Sequence, residues 1–69
     1  MSVYRVTEII GTSTTGWEDA AKSALDAAAG SLRDLQVAEI VQQNITLTTE
    51  SQVKSYRTRL RVSFKYEKA

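Results

Sequence analysis

The stretch "SYRTRLRVSFKY", residues 55–66, decides how the rest of the chain is read. Its even positions are Tyr56, Thr58, Leu60, Val62, Phe64 and Tyr66; its odd positions are Ser55, Arg57, Arg59, Arg61, Ser63 and Lys65. Strand side chains point alternately to opposite faces, so this segment is a strand with one apolar and one strongly basic side. Something apolar has to cover the first side. Residues 17–33 supply it, because Trp17, Ala20, Ala21, Ala24, Ala28 and Leu32 recur at helical spacings of three and four, and Leu35 continues the stripe. Glu18, Asp19, Lys22, Asp26 and Arg33 occupy the opposite face. A stripe made mostly of alanine lets this helix lie close to the sheet.

Two further strands complete the pattern. Residues 3–10, "VYRVTEII", are rich in β-branched side chains and stop at Gly11. A second strand is expected over roughly 37–48 and the last over 53–66, joined by the polar turn "TTESQ". The order is β-α-β-β, which places the chain in the α+β class. In the second strand Val37, Glu39, Val41, Gln43, Ile45 and Leu47 share one face; Ala38, Ile40, Gln42 and Asn44 share the other and suit the space beneath an alanine-rich helix. One helix covers one face only, so Val37, Val41, Ile45 and Leu47 are left as an apolar surface, the mark of an interface. A bulge would change these facings.

The segment "IGTSTTGWEDAA", residues 10–21, has glycines at the spacing of a phosphate-binding loop. That loop needs Lys and then Ser or Thr directly after its second glycine, to reach phosphate and magnesium. Here Trp17 and Glu18 follow Gly16, and an acidic residue there repels phosphate. The stretch reads instead as a turn and a helix start. Thr15 and Glu18 have capping-box spacing, Ser13 is a second candidate cap, and Glu18 and Asp19 favour the positive end of the helix dipole.

Size and composition narrow the functional classes. A chain of 69 residues forms one domain, expected to span 1–69, and buries little apolar surface. It has no Cys and no His, so disulfides, thiolate chemistry, the commonest general base and the commonest transition-metal ligand are all missing. Self-association is the support that remains. Nine Lys and Arg against eight Asp and Glu give a net charge of +1, which favours no polyanionic partner. No apolar run is long enough to span a bilayer, no signal-like start is evident, and a cytoplasmic location is expected.

Four carboxylates, Glu18, Asp19, Asp26 and Asp34, fall on the polar side of the helix, and a solvated face explains them. A hard cation such as calcium would also take several such oxygens, but EF-hand spacing is absent. The basic stripe Arg57, Arg59, Arg61 and Lys65 is best read as paired with Glu8, Glu39 and Glu50 of this or neighbouring chains. An anionic ligand held between subunits comes next. Nucleic acid comes last, since the aromatic residues that would stack bases lie on the opposite face. Trp17 begins the apolar stripe and is expected to anchor the helix N-terminus to the sheet or to a neighbouring subunit. No nucleophile and base pair can be assembled, so a catalytic role is not expected.

With "EIIGTS" leading into the helix, "VAEIV" opening the second strand and "YRTRLRVSFKYE" near the end, the chain resembles the dodecins over nearly its whole length. The resemblance implies a three-stranded antiparallel sheet wrapped around one helix and a hollow homododecamer. It also implies binding and buffering of a small molecule: a flavin such as riboflavin or FMN in some members, coenzyme A in others. In flavin-binding members isoalloxazine rings stack between tryptophans and a glutamine meets the ring edge. Those two positions fall on Val37 and Arg57 of this sequence. Val37 has no π-face and Arg57 carries a charge, so the chain looks closer to dodecins that lack the tryptophan, among which a calcium binder is described. A cation-binding or mainly structural shell is the alternative that this resemblance implies, with no metal ligand assigned.

Overall fold

The computed structural model describes residues 3–30 and 35–65; Leu32, Arg33, Asp34 and Tyr66 of the expected elements lie outside them. The described chain forms β1 (Tyr4–Ser13), α1 (Trp17–Ala29), β2 (Leu35–Leu47) and β3 (Val53–Lys65). The sheet order is β1-β3-β2, with both pairings antiparallel, so the strand with the clearest alternation lies in the middle.

The alternation of β3 sorts the two faces as expected. Thr58, Leu60 and Val62 are buried under α1, whose Ala20, Ala24 and Ala28 are also buried. Ile9, Ala21, Leu25 and Leu35 close around this small core. A 13-residue helix is about 20 Å long, whereas a 13-residue strand spans about 43 Å. The helix therefore covers only part of one face, and it lies mainly over β1 and β3. Ile40 and Ile45 of β2 remain exposed even though they belong to the helix side.

The second strand departs from strict alternation. Gln36 and Val41 have no opposite partner, and the register shifts at each. Ile40 pairs with Leu60, yet Gln42 pairs with Arg59, Asn44 with Arg57 and Ile45 with Tyr56. Beyond Val41 the facings are therefore reversed from those expected. Gln42 and Asn44 lie on the basic face, while Gln43 and Ile45 turn to the helix side. The physical cause is the extra residue of a bulge, which flips every later side chain.

Gly11 is also not where the expected turn placed it. β1 continues through it to Ser13, Gly11 pairs with Thr58, and no glycine lies in the left-handed φ region. Glycine is needed there because the helix backbone lies directly upon it.

The helix start differs as well. The N-cap is Gly16, with no side-chain capping bond, so the Thr15–Glu18 box does not form. Ser13 organises the loop instead. Its Oγ accepts from the backbone N–H of Thr15 at 2.9 Å and of Gly16 at 3.4 Å, and it donates to Asp19 Oδ2 at 2.7 Å. One hydroxyl thus ties the strand end to the first turn of α1. At the other connection Thr48 closes the β2–β3 turn, accepting the N–H of Ser51 through its carbonyl.

Candidate functional site

The face of the sheet that α1 leaves open carries the candidate residues. Register puts Tyr4, Val6, Glu8, Ile10 and Thr12 of β1 beside Lys65, Ser63, Arg61, Arg59 and Arg57 of β3 on that face. From β2 it receives Val37, Glu39, Gln42, Asn44 and Thr46. The face therefore mixes exposed apolar groups (Tyr4, Val6, Ile10, Val37) with arginines.

Two of the four stripe residues, Arg59 and Arg61, are neutralised within the chain. Arg61 Nη2 donates to Glu8 Oε2 at 3.1 Å, Arg59 Nη1 lies 3.8 Å from Glu8 Oε1, and Arg61 Nη1 lies 3.7 Å from Glu39 Oε1. Glu8 sits opposite Arg61 on β1 and Glu39 opposite it on β2, so the pairing follows from register. This is the structural pairing expected for Arg59 and Arg61, with Glu8 bridging both and Glu39 meeting Arg61. Glu50 lies in the β2–β3 turn and makes no ion pair among the described residues.

Arg57 is different. Its register neighbours are Thr12 and Asn44, both neutral. Its Nε is shut from solvent and has no hydrogen-bond partner. Among the described residues no carboxylate forms an ion pair with it.

Val37 and Arg57 share the open face, but one chain does not bring them together. Val37 pairs with Ser63, six residues along β3 from Arg57, which is about 20 Å of strand. Val37 is 62% exposed. A pocket lined by both would need a second copy. An open groove of about 350 Å³ lies beside the helix C-terminal half, lined by residues that include Leu25, Leu35, Val37 and Val62.

Trp17 is committed elsewhere. Its ring meets Tyr56 edge-on with centroids 5.1 Å apart, its Nε1 donates to the Asn44 carbonyl at 3.2 Å, and its own carbonyl accepts from Thr58 Oγ1 at 3.0 Å. It anchors the helix N-terminus to β2 and β3, as its place in the stripe implied.

Sequence reading missed Thr12 and Asn44 as neighbours of Arg57. Asn44 could not be found from period-two alternation, because the bulge at Val41 moves it across the sheet. The carboxylates Glu18, Asp19 and Asp26 lie exposed on α1, and no group of three or more potential metal ligands converges among the described residues. No described helix is long and apolar enough to cross a membrane.

Comparison with known proteins places this geometry. The dodecin family model matches residues 3–67. Calcium dodecin of Mycobacterium tuberculosis is 44% identical over 69 residues, covering all of this chain and 96% of that protein. The crystal structure of that calcium-chelating antigen, which has a calcium-binding site, superposes with a TM-score of 0.85 at 41% identity, covering 99% of this chain and 96% of that one. A dodecin from Streptomyces coelicolor gives a TM-score of 0.90 at 32% identity, covering 99% of this chain and 96% of that one.

Proposed function

This chain belongs to the dodecin family, and from that premise we propose that it assembles into a hollow homododecamer that binds and buffers a small ligand at subunit contacts without turning it over. The observation that carries this reading is how little a single copy buries. Among the described residues only Leu60 and Val62 are large apolar side chains in the core, while Tyr4, Val6, Ile10, Val37 and Ile40 are each 45% or more exposed. The accessible surface is 5328 Å², against about 4,300 Å² expected for a compact monomer of this mass. Second copies would cover the difference.

The ligand positions in this reading are Val37 and Arg57, contributed by different copies because they are too far apart in one. A flavin (riboflavin or FMN) meets no stacking ring at Val37, and Trp17 is held on the other side of the sheet. An anionic cofactor of the coenzyme A kind finds a cation in Arg57. The second reading is a calcium-binding shell, favoured by the 44% identity to a calcium dodecin. It draws the cation's oxygens from more than one copy.

Light scattering and calorimetry test these readings together. The expected wild type is a twelve-subunit particle, as the family implies; a folded monomer at micromolar concentration rejects the assembly. Ile10→Asp and Val37→Asp are expected to lower the particle mass. Titration with calcium, coenzyme A and riboflavin in separate runs then ranks the ligands. Uptake of calcium alone selects the second reading.

A further inference from the structure

We propose that Arg57, flanked by Thr12 and Asn44, forms an oxyanion site that takes the phosphate group of a small ligand. The proposal rests on the ligand-buffering reading above and assigns the chemistry of one end of that ligand.

Three observations converge on it. First, the Arg57 Nε is buried without a hydrogen-bond partner, and a buried donor left unmade is unfavourable enough to call for an acceptor. Second, Arg57 is set apart from the acids that neutralise its neighbours. Glu8 lies four residues along β1 from Thr12, about 13 Å away, and pairs with Arg59 and Arg61. Glu39 pairs with Arg61. Third, register places two neutral hydrogen-bonding side chains directly across from Arg57, Thr12 on β1 and Asn44 on β2. Directly opposed residues have Cβ atoms about 5 Å apart on one face, close enough for all three side chains to meet one small group.

The donor set suits a tetrahedral oxyanion. A guanidinium presents a rigid fork of N–H groups that matches phosphate, and it stays charged at any physiological pH. The threonine hydroxyl and asparagine amide add donors without adding charge. Arg57 is the arginine of the stripe left for a ligand, because Arg59 and Arg61 already have their counter-charges.

The test uses the purified wild-type assembly, with its mass fixed by light scattering, and inorganic phosphate as the probe. Calorimetric titration and melting are run against chloride at matched ionic strength. Saturable uptake and a raised melting temperature are expected. Arg57→Gln should weaken phosphate binding at least tenfold with the particle mass unchanged. Arg59→Gln, whose wild-type partner is Glu8, should keep the affinity within about twofold. A wild type that takes up no phosphate overturns the proposal; if Arg57→Gln then also loses mass, Arg57 pairs with a carboxylate of a second copy. Equal loss in both variants overturns it too, because only a diffuse basic field would be acting. A monomeric wild type that binds phosphate through Arg57 leaves the site standing and removes the assembly.

Discussion

A β-carbon placed on Gly11 would stand 1.9 Å from the backbone oxygen of Ala20 and 2.9 Å from the Cβ of Ala24. The N-terminal half of α1 therefore rests on bare β1 backbone, and the separation of helix and sheet is set by the absence of one side chain. Gly16, five residues later, has nothing within 4 Å of the same added atom, and its φ of 169° is ordinary extended backbone. The two glycines that imitate a phosphate loop thus have unrelated reasons for being there.

Gly11→Ala is expected to destabilise by at least about 2 kcal/mol, since backbone atoms have to move to admit the methyl group. For a domain of this size that corresponds to a fall in Tm of roughly 10 °C or more. Gly16→Ser should be neutral or stabilising by a few tenths of a kcal/mol, because serine is a good N-cap. Thermal melts followed by circular dichroism check both, and equal losses would contradict the close packing at Gly11.

Glu8 bridges two arginines, whereas Glu39 meets one. All four side chains are about half-exposed or more, so each pair is worth little. Glu8→Gln is expected to destabilise by about 0.5–1 kcal/mol and Glu39→Gln by less. Denaturant titrations at low and high salt should show the gap between the two variants closing as salt screens the pairs. A larger loss in Glu39→Gln would point to an additional partner for Glu39 in the assembly.

Thr58 is fully buried and donates to the carbonyl of Trp17. Thr58→Val keeps the volume and removes that bond, so a loss of about 1 kcal/mol is expected. Trp17→Phe retains a ring against Tyr56 but loses the donor to Asn44, with a similar effect, while Trp17→Ala should be about 2 kcal/mol worse than either. Equilibrium unfolding of the three variants ranks them. An undamaged Trp17→Ala would show that the helix N-terminus is held by the Ser13 loop instead.

The open-face positions make a ligand prediction as well. Wild type should bind riboflavin weakly, because Val37 offers no ring and Arg57 puts a charge at the ring edge. The double change Val37→Trp and Arg57→Gln should create saturable quenching of riboflavin fluorescence. Each single change should do less, since groups sharing one ligand couple. Strong quenching by the wild type would mean that another residue stacks, and none by an intact double variant would mean that the two positions do not face one pocket between copies.

By itself the sequence determined the elements, the sidedness of β3 and that of β2 as far as Ile40. Period-two alternation in 55–65 and helical spacing from Trp17 to Ala28 are local signals, and each states which of its own residues avoid water. That the stripe is paired with Glu8 and Glu39 was legible too, and register then made Arg61 the partner of both. Tertiary structure alone decided three other things. It showed that Gly11 is a contact and not a turn, since the reason for a missing side chain lies in the helix that packs over it. It put Ser13 rather than the Thr15–Glu18 pair in charge of the helix start, because competing hydroxyls are separated only by where Asp19 arrives. It also carried Asn44 to the side of Arg57. One unpaired residue, Val41, reverses every facing after it, and an extra residue in a bulge leaves no periodic trace until the neighbouring strand supplies the register.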